Sequence, residues 1–102
     1  MKLVQLSFHF EYADRIETLL DEHQVAHFIR HPRVQVLDAD GRQYGSKVFP
    51  DHMMAIQARV DDERVEKLLE DLKAFRQDKT SHEHLEAVVI PIENWIGPDR
   101  SQ

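Results

Sequence analysis

His82-Glu83-His84 places two imidazoles two residues apart, with Glu83 between them and Glu86 just beyond. Imidazole and carboxylate together suit zinc, copper or nickel. In an extended segment residues i and i+2 share a face, so both rings can approach one ion. The chain has no cysteine, so a complete site needs further ligands from another segment or another subunit. The same residues also read as a polar loop leading into an edge strand. His82 and His84 are the candidate metal ligands, and a divalent transition metal is one candidate cofactor.

A second constellation is the run Asp40-Gly41-Arg42-Gln43-Tyr44-Gly45-Ser46-Lys47. Gly41 and Gly45 let the backbone turn tightly at both ends. Arg42 and Lys47 supply positive charge, and Gln43 can both donate and accept a hydrogen bond. Arg30 and Arg33 add charge from the preceding strand. In a chain of net charge −6, this concentration suits an anionic ligand. Charge beside an edge strand also discourages aggregation. The candidate ligand-binding residues are Gly41, Arg42, Gln43, Tyr44, Gly45 and Lys47.

Other constellations point to structure. Without cysteine, thiol catalysis, thiolate zinc sites and disulfides are excluded. No phosphate-loop motif is present, and Ser7, Ser46, Ser81 and Ser101 lack a triad context. No catalytic residue is nominated, and the chain is not expected to be an enzyme. Asp61-Asp62-Glu63 reads as helix capping, and Met53-Met54 as core or interface. His9 and His52 alternate to opposite faces of neighbouring strands. His23, His27 and His31 straddle a helix–strand boundary and read as surface residues.

The elements that must carry these groups follow from periodicity. Val4, Leu6, Phe8 and Phe10 alternate with Gln5, Ser7 and His9, a half-buried strand. Ala13, Ile16, Leu19, Leu20 and His23 have helical spacing, predicting a helix over roughly Tyr12 to His23. A strand from about Ala26 to Asp38 contains Pro32, which places it at a sheet edge. A third strand spans about His52 to Val60. Val65, Leu68, Leu69, Leu72 and Phe75 mark the second helix, and Leu85 to Ile92 the last strand, with Pro91. The order predicts two interleaved split βαβ units, a ferredoxin-like βαββαβ α+β sandwich. Its four-stranded antiparallel sheet has two helices on one face, strands one and three central, strands two and four at the edges. Residues 1–96 are expected to form one domain and 97–102 a flexible tail.

The chain has 102 residues, an apolar fraction of 41% and a charged fraction of 31%. Its acidic balance gives no bulk attraction to nucleic acid. No apolar stretch approaches the ~20 residues of a membrane span, and no signal-peptide core opens the chain. The expectation is a cytoplasmic protein with no nucleic-acid partner and no direct membrane insertion.

Three segments resemble the PII signalling proteins. Gly41-Arg42-Gln43-Tyr44-Gly45 is similar to the GRQKG run that opens the family's T-loop. Ala55-Ile56-Gln57-Ala58-Arg59-Val60-Asp61-Asp62-Glu63-Arg64-Val65 is similar to its strand-to-helix passage. Val88-Val89-Ile90-Pro91-Ile92-Glu93 is similar to its last strand. The resemblance implies a homotrimer that binds a small ligand, usually an adenine nucleotide, in clefts between subunits. It also implies that the 41–49 loop signals to a membrane transporter or an enzyme. The chain departs from the family in a short loop, in Tyr44 for lysine, and in a glycine-free Asp78–Glu86 segment where the family has a glycine-rich phosphate loop. Glu86 falls at or near that loop's lysine. These departures favour AMP, ADP or a non-nucleotide anion over ATP. The alternative is a metal-binding or metal-tolerance module resembling the CutA-type trimers, which share this architecture.

Overall fold

The computed structural model describes residues 1–25, 27–37 and 53–97. Its elements run β1 (Lys2–His9), a 3-10 turn (Phe10–Tyr12), α1 (Ala13–Glu22), β2 (Phe28–Val34), β3 (Met53–Val60), α2 (Asp62–Asp78), a second 3-10 turn (Thr80–His82) and β4 (Glu86–Pro91). The strands form one sheet in the order β2-β3-β1-β4, and all three pairings are antiparallel. This is the ferredoxin-like α+β fold that the strand and helix order predicts.

Alternation along β1 and β3 decides where the core lies. Val4, Leu6 and Phe8 on β1, with Met54, Ile56, Ala58 and Val60 on β3, meet Ile16 and Leu20 of α1 and Leu68, Leu72 and Phe75 of α2 in one buried cluster. Both helices therefore cover the same face of the sheet. The opposite face carries Leu3, Gln5 and Ser7 of β1 and Ala55, Gln57 and Arg59 of β3, the alternate residues of each strand.

Several boundaries differ from the sequence expectation for local reasons. The first helix starts at Ala13, because Phe10–Tyr12 forms a 3-10 turn in which His9 Nδ1 accepts the Glu11 amide at 3.3 Å. β2 is shorter than expected. Its register with β3 shifts between the His31↔Ala55 and Val34↔Met53 pairs. Pro32, which has no amide to donate, sits in that irregularity on an edge strand. Pro91 likewise ends an edge strand, opposite Lys2. Asp61 is the N-cap of α2 through its backbone, while its carboxylate lies 3.9 Å from Arg64 Nε. The Asp62 carboxylate meets the Met1 amine at 2.8 Å. The expected tail beyond Gly97 lies outside the described residues.

Candidate functional site

Gly41, Arg42, Gln43, Tyr44, Gly45 and Lys47 lie outside the described residues, as does His52. The structure does describe the ends from which their loop departs and returns. The loop leaves beyond Val34 and returns at Met53, which pairs with His9. At this end the helix-free face holds a hollow of about 370 Å³ bordered by Ser7, Val34, Leu37, Ala55, Glu86 and Val88. Glu86 opposes Ser7 across β1 and β4, so a carboxylate stands on the wall of this hollow across from Val34 and Leu37.

The rest of the helix-free face is a strip of hydrogen-bonded polar groups between apolar patches. Gln57 Nε2 donates to Gln5 Oε1 at 3.1 Å, and His31 Nε2 lies 3.2 Å from Gln57 Oε1. The oxygen can only accept, so His31 donates from Nε2. Around this chain of three residues, Ile29, Leu37, Val88 and Ile90 are exposed. Neither described helix covers them, and scattered apolar exposure is ordinary, but four on one sheet face form a surface suited to a partner. At the Phe28 end the face deepens into a second hollow of about 800 Å³, lined in part by Leu3, Ile29, Gln57 and Arg59. Arg59 Cζ lies 4.4 Å from the centroid of the Trp95 ring. Trp95 had no role in the sequence expectation. A solitary tryptophan just past the last strand was the available signal.

The two histidines proposed as metal ligands have different environments. Their shared face required an extended segment, but residues Thr80–His82 form a 3-10 turn, so that premise does not hold. His82 is 2% exposed. Its ring stacks on Phe75 with centroids 4.0 Å apart and planes 2° from parallel, and meets Tyr12 edge-on at 4.5 Å. Its Nδ1 lies 2.7 Å from the Phe75 carbonyl oxygen and must donate to it. Nε2 is buried with no hydrogen-bond partner among the described residues. His84 is half-buried and borders a separate hollow of about 410 Å³ with His9, Glu11 and Glu83. Among the described residues no group of three or more His, Asp or Glu is arranged to hold a metal.

His9 and His23 have structural partners. His9, expected on the open face, is 7% exposed because the 3-10 turn folds over it. His23 Nε2 lies 2.7 Å from Asp71 Oδ2, tying the end of α1 to α2. Met53 and Met54 are both buried. Among the described residues no helix is long and apolar enough to cross a membrane.

No protein-family model matches the chain, and no curated protein matches it. Solved structures do. CPII, a nitrogen regulatory PII-like protein from Thiomonas intermedia K12 bound to ADP, AMP and bicarbonate, aligns over 93% of this chain and 94% of its own, at 20% identity and a TM-score of 0.64. This chain has a PII-like fold. A putative PII-like signaling protein from Thermus thermophilus aligns over 86% of this chain and 81% of its own, at 14% identity and a TM-score of 0.59. The divalent cation tolerance protein CutA1, also from Thermus thermophilus, aligns over 94% of this chain and 88% of its own, at 22% identity and a TM-score of 0.62. The shared PII-like and CutA1 architecture is the one the sequence resemblance implied.

Proposed function

We propose that this chain is a PII-like regulatory protein of the cytoplasm and not an enzyme. It assembles as a homotrimer and binds a small anionic ligand, AMP or ADP, at a cleft between subunits. The 41–49 loop carries the ligand state to a transporter or enzyme target. The observation that carries the reading is the helix-free sheet face. Its exposed Ile29, Leu37, Val88 and Ile90, set around the His31–Gln57–Gln5 strip, suit burial against further copies of the chain. Ligand binding is supported by the likeness to CPII, whose structure holds ADP, AMP and bicarbonate. Glu86, on the rim of the hollow at this end of the sheet, disfavours a triphosphate.

Light scattering tests the assembly: a mass about three times the 12.0 kDa chain is expected. A mass of one chain overturns the trimer. Calorimetry with AMP, ADP and ATP tests the ligand. AMP or ADP should bind more tightly than ATP, and Arg42→Ala should weaken them at an unchanged melting temperature. Silence against all three, in a confirmed trimer, rejects nucleotide sensing.

A divalent-cation module is the second reading. It draws on the likeness to CutA1 and on the hollow that His84 shares with Glu11 and Glu83. Zinc, copper or nickel would raise the melting temperature by binding the folded form, and His84→Ala would remove the effect. His82 would join only by leaving its stack on Phe75. No shift at a hundredfold excess of metal sinks this reading.

A further inference from the structure

Phe10 is in phase with Val4, Leu6 and Phe8 of β1 and would join the core if the strand ran on. The 3-10 turn Phe10–Tyr12 begins there instead, and it leaves Phe10 45% exposed. The ring lies beside the His9 imidazole, with centroids 5.1 Å apart. A large apolar side chain is thus turned out to solvent at the end of the sheet, away from the helix-free face.

The two 3-10 turns enclose the hollow of about 410 Å³, whose lining includes Glu11, Tyr12, Thr80, Ser81 and Glu83. Tyr12 gives it an aromatic wall that is fixed in place, because its ring meets Phe75 edge-on at 5.9 Å and His82 at 4.5 Å. The two carboxylates are not neutralised. Glu11 Oε1 lies 3.4 Å from His9 Nδ1, but that nitrogen accepts the Glu11 amide and so has no proton to offer the carboxylate. Glu83 is exposed, and no ion pair joins it to any described residue. Two uncompensated carboxylates beside an aromatic wall match the charged head of an arginine or lysine, whose alkyl stem can lie along Tyr12. The hydroxyls of Thr80 and Ser81 add acceptors for the remaining donors.

We propose that this end of the subunit docks a basic segment of a partner protein: an arginine or lysine enters the hollow between Glu11 and Glu83, and an adjacent apolar side chain packs on Phe10. The surface lies outside the helix-free face, so the inference goes beyond the regulatory reading and needs neither the trimer nor the nucleotide.

The test titrates the full chain with three probes: a short capped peptide alternating leucine and arginine, its twin with glutamate for arginine, and N-acetyl-arginine amide. EDTA is present throughout, which sets aside the divalent-cation reading of the same hollow. Calorimetry reads affinity and backbone amide NMR reads place, in about 0.15 M salt so that diffuse attraction is screened. The arginine peptide should bind at least about tenfold more tightly than either other probe, and should shift the amides of Phe10, Tyr12, Ser81 and Glu83. Phe10→Ser should weaken it by about fivefold or more, as should Glu11→Gln combined with Glu83→Gln. Glu63→Gln combined with Glu66→Gln removes the same charge at the other end of α2, and should leave binding intact. Should Phe10→Ser fail to fold, the two glutamine pairs decide. Equal binding of the glutamate twin or of N-acetyl-arginine amide, no binding of the arginine peptide, shifts confined to other surfaces, or equal loss in the two glutamine pairs overturns the docking surface. None of these outcomes turns on AMP binding or on assembly, so the regulatory reading is tested apart from it.

Discussion

The imidazole of His82 lies flat on the ring of Phe75 while its Nδ1 donates to the carbonyl oxygen of that same residue, at 2.7 Å. Phe75 belongs to the last turn of α2, where carbonyls lack partners within the helix. One side chain thus caps the helix end and fills the space beside it. His82→Ala removes both contributions and should destabilise the fold by about 2–4 kcal/mol. His82→Phe keeps a stacked ring but strands the carbonyl, and should cost about 1–3 kcal/mol. Urea unfolding of the two variants checks this. Equal stability of His82→Ala and the parent would show that the stack contributes nothing.

Arg30 and Glu17 tie edge strand β2 to α1 through two parallel hydrogen bonds. Their side chains are 54% and 24% exposed, so solvent screening limits the pair to about 0.5–1 kcal/mol. The geometry requires a fork of donors. Arg30→Lys should therefore lose most of the coupling despite keeping the charge. A double-mutant cycle with Glu17→Gln measures it, and the coupling should shrink in molar salt. A lysine variant with full coupling would mean that charge alone holds the strand.

Much of the fold was readable because its signals are local. Val4, Leu6 and Phe8 alternate along one strand, and Val65, Leu68, Leu72 and Phe75 follow one helix face. Pro32 and Pro91 marked the edges of the sheet before any pairing was known. The candidate sites were less readable because they join distant residues. His82 became a core residue through Phe75 and Tyr12, after a 3-10 turn replaced the expected extended segment. No periodicity announces that turn. Arg59 meets Trp95 only because β3 is central and the chain returns over the open face after β4. The glycine-bracketed loop was legible as a motif, but its residues lie outside those described.

Asp62 supplies a pH dependence. The hydrogen bond from the Met1 amine holds its carboxyl below the usual carboxylate range, helped by the charges of that amine and of Lys2, with desolvation opposing. A depressed folded-state pKa stabilises the fold above the unfolded-state value, about 3.9. That contribution falls away as pH drops through the folded-state value. The parent should therefore melt above Asp62→Asn at pH 6, and the two should converge as pH falls below the depressed folded-state value. A gap that persists unchanged to pH 2 would assign the difference to something other than ionisation. The pair is exposed, so the gap should be small and should narrow in salt.

Gln24 is the one described non-glycine residue with positive φ, at 62°. It follows the C-terminal cap of α1, where its amide donates to the Asp21 carbonyl at 2.9 Å and the Val25 amide to the Leu20 carbonyl at 2.9 Å. These two bonds make a Schellman motif, which favours glycine at this position. Val25 and Leu20 are both buried in the core, so the turn also delivers an apolar residue to the sheet. A side chain in the left-handed region costs roughly 1–2 kcal/mol, part of which glycine gives back through its freer unfolded chain. Gln24→Gly should therefore stabilise the protein by up to about 1 kcal/mol, raising the melting temperature by ~4–8 °C. Gln24→Val, β-branched and poorly tolerated at positive φ, should lower it. If glycine lowers the melting temperature as much as valine does, the left-handed turn is not a source of strain in this protein.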